Sequence, residues 1–460
     1  MRSRRDQVQA YRFVTRRIVS AMLSGEPETN ELPMRRLALA LFGSLMVGAI
    51  VLAGAGVYGL VTKNKAPLEP NTLVIERETG AKYVFVDGRL YPALNYASAR
   101  LMLDMPKPEV RTMSQASLKG YPRGRPIGIP DAPDALPEPS ALLGHPWRIC
   151  TTIGTEFQEP STYVVVGRDL PGGVDLGTQS VLVTARRTTY LLWNKTRLRI
   201  PGSANLTALG LSGTDPLLVG DQLINAIKAG PDLQLIRVDG AGEPSPLDLG
   251  GEPAKIGDVF RVSGQHYVLT RDGLVPVGEV TANLRVAIGR SLRDINSQIA
   301  DRNMSSQRIE PEGFPQQMPT LYPDASRESA ICAVYRSGEE TTSIEVHRRV
   351  PDELTSTSGS VEAVRGRQDS VRTVDRVVIE GGRGALVQPG SPEGGAMPGA
   401  TTYLITDRGV KYPLDDAARV ALGYGEVTPT VVPKPLLDLI PTGPTLSTKA
   451  ARQFADLSAS

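Results

Sequence analysis

The sequence has few of the residues from which most enzyme sites are built. Its 460 residues include two cysteines and three histidines, and His145, His266 and His347 stand too far apart for a zinc-binding motif. No G-x-x-x-x-G-K-[ST] loop is present to hold phosphates, and no G-x-S-x-G turn presents a nucleophilic serine. We therefore predict no catalytic residue, no cofactor and no metal site.

An excess of one charge is also missing. Lysine and arginine number 51 and aspartate and glutamate 49, which leaves a net charge of +2. Nucleic-acid-binding proteins usually carry a clear basic excess, so nucleic acid is not expected as a partner. Hydrophobic residues make up 40% of the chain, which is enough to bury cores of globular size.

Long apolar runs are absent with one exception, at residues 37–61. These 25 residues contain no charged side chain, no histidine, no asparagine and no glutamine. As a helix they would be roughly 37 Å long, and a bilayer's hydrocarbon core is about 30 Å thick. A cleaved signal peptide is the alternative, because the run ends in small residues. The run is longer than a signal peptide requires and starts after 36 residues, which favours a membrane anchor.

Arginines before the apolar run indicate how the chain is oriented. Residues 1–36 contain eight of them, and Arg35 and Arg36 directly precede the run. Lys63 and Lys65 follow it, so the bias is moderate. Because positive flanks stay in the cytoplasm, we predict a single-pass protein of the inner (cell) membrane. Its N-terminus is cytoplasmic and its bulk is extracytoplasmic.

Residues 5–24 have the pattern of a basic amphipathic helix. Apolar side chains recur every three or four residues, at Val8, Tyr11, Val14, Ile18 and Met22. Such a helix next to a membrane span can lie on anionic lipid or dock on a cytoplasmic partner. It can also be a topology signal that happens to be helical.

Within the apolar run, small residues share one helical face. Ala40, Ser44 and Gly48 follow each other at intervals of four, a spacing that lets a second membrane helix approach closely. We predict packing against a partner helix there. Glycine and alanine are common in membrane helices, so coincidence is the alternative.

The two cysteines both lie beyond the apolar run. Cys150 and Cys332 fall in strand-like segments, and an oxidising compartment favours one disulfide between them. Two buried thiols are the alternative. A disulfide would place both segments in one domain with a long insertion between them.

A strand–turn–strand–helix pattern occurs four times, in residues 79–103, 189–211, 266–287 and 402–424. Each copy begins near a tyrosine and reaches a proline, in the pairs Tyr83 and Pro92, Tyr190 and Pro201, Tyr267 and Pro276, and Tyr403 and Pro413. We expect a β-hairpin after each tyrosine and a helix opened by each proline. The unequal intervals exclude a propeller or solenoid. Chance similarity among short segments is the alternative.

The segments between the copies complete the division into domains. Eight prolines in residues 106–139 indicate a semi-rigid spacer or a strap, residues 283–303 a helix, and the segments around the cysteines strands. The predicted units are the cytoplasmic helix (1–36), the span (37–61), module 1 (66–116), a central β domain (117–185 and 304–370), module 2 (186–245), module 3 (246–303), and module 4 with the tail (371–460).

These features together resemble the EccB family, the single-span membrane component of actinobacterial type VII (ESX) secretion systems. The match is carried by Arg5, Gln7, Tyr11, Arg12 and Phe13, the span, Gly80 and Ala81, residues 92–101, the strap 122–130 with Ala132 and Pro133, and the two cysteines. It covers essentially the whole chain, although residues 215–330 are less distinctive.

The resemblance implies a fold and a role. The fold class is α+β: one transmembrane helix plus an elongated extracytoplasmic region of small β-hairpin/helix modules around a central, disulfide-linked, mainly β domain. The role is a structural subunit of a translocation complex, with an EccC-type motor ATPase, EccD- and EccE-type membrane subunits and other copies of itself as partners. WXG-type substrates would pass through the complex.

For the cytoplasmic helix, the expected partner-binding residues are Gln7, Tyr11, Arg12, Phe13 and Arg16. ATP hydrolysis has also been ascribed to the family, so a membrane-anchored nucleotide hydrolase is an alternative. A cell-wall-acting enzyme and a non-catalytic wall-binding module are others.

Overall fold

The computed structural model describes residues 4–25, 33–63, 67–251, 253–337, 342–356, 360–362, 373–390 and 395–454. Two long helices come first, α1 (Arg4–Ser24) and α2 (Pro33–Lys63). Within α2, Leu37–Gly59 is long and apolar enough to cross a membrane, and none of it is buried against the protein. Both helices were predicted from the sequence.

Module 1 follows as a four-stranded sheet with one helix across it. Its elements are β1 (Thr72–Glu76), β2 (Lys82–Val86), β3 (Arg89–Ala93), α3 (Tyr96–Leu103) and β4 (Val110–Met113), followed by the short helix α4 (Gln115–Leu118). The strand order is β3-β2-β1-β4. β1 pairs antiparallel with β2 and parallel with β4, so α3 is the connection that brings the chain back to the sheet.

The chain then enters the central sheet and leaves it for two further modules. The first central strands are β5 (Trp147–Thr152), β6 (Thr162–Val166) and β7 (Gly173–Asp175). Module 2 comprises β8 (Ser180–Ala185), β9 (Thr188–Trp193), β10 (Thr196–Ile200), α5 (Ser203–Ala208), β11 (Leu217–Leu218), α6 (Asp221–Ala226) and β12 (Lys228–Ala229). Module 3 comprises β13 (Val259–Val262), β14 (Gln265–Thr270), β15 (Gly273–Val277), α7 (Glu279–Ala287), β16 (Leu292–Asp294) and α8 (Ser297–Arg302).

The central sheet is completed by a second stretch of chain. Its elements are β17 (Ala330–Tyr335), β18 (Ser343–His347), α9 (Asp352–Thr355), β19 (Ser360–Glu362) and β20 (Arg376–Val378). The seven strands are ordered β19-β20-β6-β5-β17-β18-β7, so strands far apart in sequence alternate in the sheet. Module 4 closes the chain with β21 (Gly384–Gly390), β22 (Thr402–Thr406), β23 (Lys411–Leu414), α10 (Asp416–Ala421), β24 (Thr430–Pro433), α11 (Lys434–Leu437) and α12 (Thr448–Ala451).

All four modules share one topology. In each, the first strand lies between an antiparallel partner and a later strand that pairs parallel with it, and a helix precedes that parallel strand. The parallel pairs are β1 with β4, β8 with β11, β13 with β16, and β21 with β24. The four segments recognised in the sequence are therefore copies of one supersecondary unit.

Each module also has a closing segment that the sequence did not reveal. A later stretch of chain runs parallel to the third strand and covers its open edge, in residues 122–127, 228–233, 303–305 and 441–446. In module 1, for example, Leu90 N donates to Pro122 O at 2.9 Å and Gly124 N donates to Leu90 O at 2.9 Å. Residues 122–127 of the proline-rich strap thus bridge to the open edge of the four-stranded sheet of module 1.

Strand pairing differs from the predicted domain boundaries in two places. β8 was assigned to the central domain, but it forms a hairpin with β9 through the two-residue turn of Arg186 and Arg187. β20 was assigned to module 4, but it pairs parallel with β6 in the central sheet.

The single helix predicted for residues 283–303 is wrong. α7 ends at Ala287, and Gly289 follows in the left-handed region with φ of 82°. A glycine in that conformation terminates a helix, so the chain goes on to β16 and then to α8.

The modules pack in nested pairs around the central sheet. Modules 1 and 4 share one apolar core, and modules 2 and 3 share another. One face of the central sheet packs on the sheets of modules 2 and 4, with α6 and α11 between them. The first module of the chain therefore contacts the last, and the two middle modules contact each other.

Candidate assembly surfaces

The predicted partner-binding residues of α1 lie on two faces of the helix. Gln7 and Tyr11 are one turn apart, and together with Arg4, Val8 and Arg12 they line a shallow depression of about 470 Å³. Tyr11 is 74% exposed. The helix therefore presents an apolar side chain to solvent beside guanidinium groups.

The second face of α1 carries the remaining predicted residues. Arg12 and Arg16 are one turn apart, and Phe13, 62% exposed, has the guanidinium of Arg17 at 5.7 Å from its ring centre. The five predicted residues do not form one patch. Gln7 and Tyr11 lie on one side of the helix. Arg12, Phe13 and Arg16 lie on the other side, which is more basic.

The small residues of α2 share the expected face. Gly48 has no atom within 4 Å of the position that a side chain would occupy, and Ser44 donates its hydroxyl to Leu41 O at 2.9 Å. The serine thus satisfies its polar group within its own helix. The surface that contains Ala40, Ser44 and Gly48 is open for contact with another helix.

The central sheet is cross-linked by the disulfide between Cys150 and Cys332. The two residues are direct cross-strand neighbours on β5 and β17, and both are fully buried. Leu170 and Leu354 pack in the same apolar cluster. The predicted disulfide is therefore present, and it joins the two separate stretches of chain that build the sheet.

A cluster of charges around the buried Arg148 lies beside the disulfide, and the sequence did not reveal it. Arg148 donates to Asp169 Oδ1 at 2.6 Å and lies 3.6 Å from Glu345 Oε2. Glu345 accepts a second bond from Arg336 at 2.6 Å. The buried arginine is thus neutralised by two carboxylates.

His347 belongs to the same cluster. Its Nδ1 lies 3.0 Å from Pro171 O, and a side chain at Gly173 would meet its ring at 2.8 Å. Burial lowers the pKa of His347, and the hydrogen bond to Pro171 and the charge of Glu345 oppose that shift. The imidazole and Arg148 together hold residues 167–175 over the disulfide.

The signature tyrosines and prolines are strand residues. Tyr83, Tyr267 and Tyr403 are paired directly with Pro92, Pro276 and Pro413 across the hairpin. In module 2, Tyr190 is paired with Arg199, and Pro201 follows the strand. The prediction that the prolines open helices is wrong. Proline lacks a backbone N–H, and here it lies at a strand position close to the sheet edge.

Helix starts in the modules are provided by other residues. Asn95 accepts a bond from Ser98 N at the start of α3, and Asp415 accepts one from Ala418 N at the start of α10. α7 begins after Gly278, which has no side chain to act as a cap. Glu310 accepts from Gly278 N at 2.8 Å and from the Thr281 hydroxyl instead.

No catalytic arrangement emerges from the described residues. Among them there is no group of three or more His, Cys, Asp or Glu that could hold a metal ion. A cleft of about 480 Å³ lies at the ends of β6 and β20, and its charged lining residues are Arg168 and Glu380. These lie 3.9 Å from Glu353 and 3.8 Å from Arg383 respectively, so both charges already have partners.

One helix long and apolar enough to cross a membrane, followed by four nested modules around a cross-linked sheet, fits the class of membrane-anchored repeat proteins. Within that class, the family described as "Type VII secretion system ESX-1, transport TM domain B" matches residues 2–459. The chain belongs to this family, EccB.

Individual relatives agree with this assignment. The "ESX-5 secretion system ATPase EccB5" of Mycobacterium tuberculosis (strain ATCC 25618 / H37Rv) is 27% identical over 475 residues, which cover 97% of this chain and 92% of the relative. A chain of the "intact ESX-5 inner membrane complex" is 25% identical, with a TM-score of 0.68, 99% of this chain and 96% of that chain covered. The "EccB3 dimer from the ESX-3 core complex" has a TM-score of 0.63 at 25% identity, with 83% and 99% covered.

Proposed function

We propose that this chain is a structural subunit of an ESX inner membrane complex. The observation that carries the proposal is the full-length likeness to a chain of an intact ESX-5 inner membrane complex, which covers 99% of this chain. A likeness that includes the N-terminal helices as well as the modules supports the same division of labour between anchor and body. The name of the 27% identical relative, EccB5, also contains the word ATPase.

The proposed topology places α1 in the cytoplasm and the modules outside. α2 supplies the span, and the eight arginines of residues 1–36 support this orientation. The compartment is the inner (cell) membrane. Protease added to intact spheroplasts should digest the modules and leave a membrane-protected N-terminal fragment. Protection of the C-terminal bulk would contradict the topology.

We assign the docking of the motor to α1. Tyr11 and Phe13 are exposed apolar residues on opposite sides of a helix of basic character, and partner surfaces on both sides would cover them. The partner proposed here is an EccC-type motor ATPase. The span would pack through Ala40, Ser44 and Gly48 against EccD- and EccE-type membrane subunits.

Outside the membrane, the modules are proposed to associate with other copies of this chain and form a vestibule for export. The EccB3 relative was solved as a dimer, and its likeness covers 83% of this chain. WXG-type substrates would pass through the assembly. Cross-linking of the purified complex, followed by mass spectrometry, should give links between identical peptides of the modules.

The decisive test uses the full chain in its native membrane. A variant with Tyr11→Ala and Phe13→Ala should lose the motor subunit on purification in mild detergent, while the membrane subunits remain. Gln9→Ala is the control for side-chain chemistry, because Gln9 is exposed and polar and lies one turn from Phe13, so its loss should leave the motor bound. Full occupancy of the motor in the double variant would contradict the docking role.

A further inference from the structure

The link between α2 and module 1 is very short, residues 64–66, and is called the tether here. α2 ends at Lys63, four residues beyond the apolar stretch that ends at Gly59, so the helix extends roughly 6 Å past it. The described chain resumes at Pro67, and four peptide steps span at most about 14 Å. The headgroup layer is itself about 5–8 Å thick. Pro67 therefore lies within about 20 Å of the hydrocarbon, close to the headgroups.

Module 1 cannot move away from this point, because its first residues are fixed to its body. Leu68 is buried, and its N–H donates to the Tyr121 hydroxyl at 3.3 Å. Arg111 Nη1 donates to Pro67 O at 3.0 Å. The ring of Tyr121 packs edge-on against Phe85 at 5.3 Å between centres. The tether is thus anchored in the core of the module.

Strand register shows which end of module 1 adjoins the tether. Thr72 is paired with Phe85 and Leu73 with Val110, so the turn after β2 and the start of β4 lie at the same end as Pro67. Leu90 forms a bridge with Arg123 of the closing segment at that end as well. We name residues 67–71, 87–89, 105–111 and 119–123 the tether end.

The tether end combines cations with exposed apolar side chains. Its basic residues are Arg89, Lys107, Arg111, Lys119 and Arg123, and its acidic residues are Glu69, Asp87 and Glu109. Arg123 lies over the ring of Tyr83, and Asp104 next to this end is paired with Arg452 at 3.0 Å. Met105 and Val110 are 40% and 44% exposed.

The opposite end of the same module has the opposite balance. Arg77 and Lys82 lie there with Glu76, Glu78 and Asp134, and Lys82 is paired with Asp134 at 3.0 Å. Positive charge is therefore concentrated on the end that the short tether holds near the bilayer. Lysine and arginine near a membrane surface are attracted to anionic lipid, and exposed apolar side chains insert at the interface.

We propose that the tether end of module 1 binds anionic phospholipid headgroups on the extracytoplasmic face of the bilayer that α2 spans. This contact rests on the proposed topology, and it gives the body a second attachment to the membrane. The second attachment then limits how far the module can rotate about its link to α2.

The test uses the full chain in nanodiscs that contain a lipid with a headgroup nitroxide. Met105→Cys at the tether end and Thr79→Cys in the turn at the opposite end are labelled with a fluorophore, because both positions are exposed. All native cysteines are in the disulfide. With phosphatidylglycerol present, quenching at position 105 should exceed quenching at position 79 at least twofold. With phosphatidylcholine alone the difference should shrink.

Charge reversal separates lipid binding from mere proximity. The triple variant Arg89→Glu, Lys107→Glu and Lys119→Glu should lose at least half of the extra quenching at position 105. The control triple Arg77→Glu, Arg302→Glu and Arg327→Glu makes the same charge change at exposed residues elsewhere and should keep the extra quenching.

Equal quenching at the two positions in discs that contain the chain would overturn the lipid contact and leave the span intact. If quenching at position 105 changes neither with lipid charge nor in the triple variant, the proposed role of the cations is wrong. A chain that does not enter the discs would overturn the span, and the lipid contact with it.

Discussion

At the scale of single residues, Cys150 and Cys332 close a loop with a sequence separation of 182 residues. Chain-entropy arguments give a loop of this length about 5 kcal/mol as an upper value, and removal of a native disulfide costs about 2–5 kcal/mol. We predict that the double variant Cys150→Ala and Cys332→Ala loses stability in this range in urea unfolding of the full chain in detergent.

Reduction provides the control for that variant. Both cysteines are fully buried, so a mild reductant without denaturant should leave the disulfide intact in mass spectrometry. With denaturant present, the reduced wild type should unfold at the midpoint of the double variant. Two alkylated thiols after mild treatment would show that the sheet is open where the structure closes it.

The buried imidazole of His347 should make the stability of the fold depend on pH. Burial lowers its pKa below the ordinary 6.5, so the unfolded chain binds a proton that the folded chain does not. Stability is therefore greatest above about pH 6.5 and falls as the pH drops below it, by at most about 1.4 kcal/mol per pH unit. His145, whose pKa burial also lowers, adds to the same trend.

Denaturant midpoints measured between pH 8 and pH 5 check this prediction. His347→Gln should flatten the slope below pH 6.5, whatever its effect at pH 8, where both imidazoles are neutral. Arg148, Glu345 and Glu353 face the imidazole and remain in the variant. An unchanged slope in His347→Gln would assign the pH dependence to other groups.

At the scale of elements, the close approach of the closing segments to the third strands explains why three of their positions are glycine. Gly124, Gly230 and Gly443 each donate a backbone bond to the third strand, and a Cβ would come within 2.5 Å of the next residue of that strand. The close neighbours are Tyr91, Leu198 and Tyr412. In module 3 the equivalent donor is Ser305, and the corresponding strand residue is the smaller Val275.

This difference predicts unequal effects of alanine. Gly443→Ala should cost about 1–3 kcal/mol, because its Cβ would lie 2.4 Å from the ring of Tyr412, which is buried and cannot turn away. Ser305→Ala adds no atom and should cost less than about 0.5 kcal/mol. Hydrogen exchange in β23 and β15 would report each change locally. Equal effects would contradict the argument from space.

The sequence predicted the hairpins of the modules, because aromatic strands and polar turns are local signals. It placed the first strand of module 2 in the central domain, and it did not predict that the closing segments pair with the third strands. A closing segment is three to six residues long, and its pairing with the third strand spans 30 residues or more of chain. No local periodicity marks such a segment. The close packing of a glycine on a tyrosine of the third strand exists only in the folded chain, so the sequence does not show it. The prolines were misread as helix starts for the same reason.

At the scale of the whole molecule, the order of the modules along the chain does not predict their packing. Module 1 packs on module 4, and Tyr424 in module 4 donates its hydroxyl to Pro137 O at 2.7 Å across 287 residues. Contacts of this kind depend on the fit of buried surfaces, which composition cannot reveal. The disulfide was the one long-range contact that the sequence indicated. The docking and helix-packing residues of α1 and α2 stay predictions.

The whole molecule also predicts the outcome of an activity assay. We expect the purified full chain to release phosphate from ATP no faster than a matched detergent blank, because the sequence has no phosphate-binding loop. The assay should contain Mg²⁺ and be repeated on Cys150→Ala with Cys332→Ala as a preparation control. Phosphate release that one substitution abolishes would make the chain an enzyme and revive the alternative function.

Nesting the modules has a consequence for biogenesis. Arg100 of the first module donates to Ala421 O of the last, 321 residues further along. This contact must wait until the last module has been synthesised. At ribosomal rates of roughly 5–20 residues per second, that wait is on the order of 15–60 s. In the proposed topology the newly exported chain must avoid aggregation outside the cell membrane for that time, so its maturation depends on how quickly its C-terminal module is delivered.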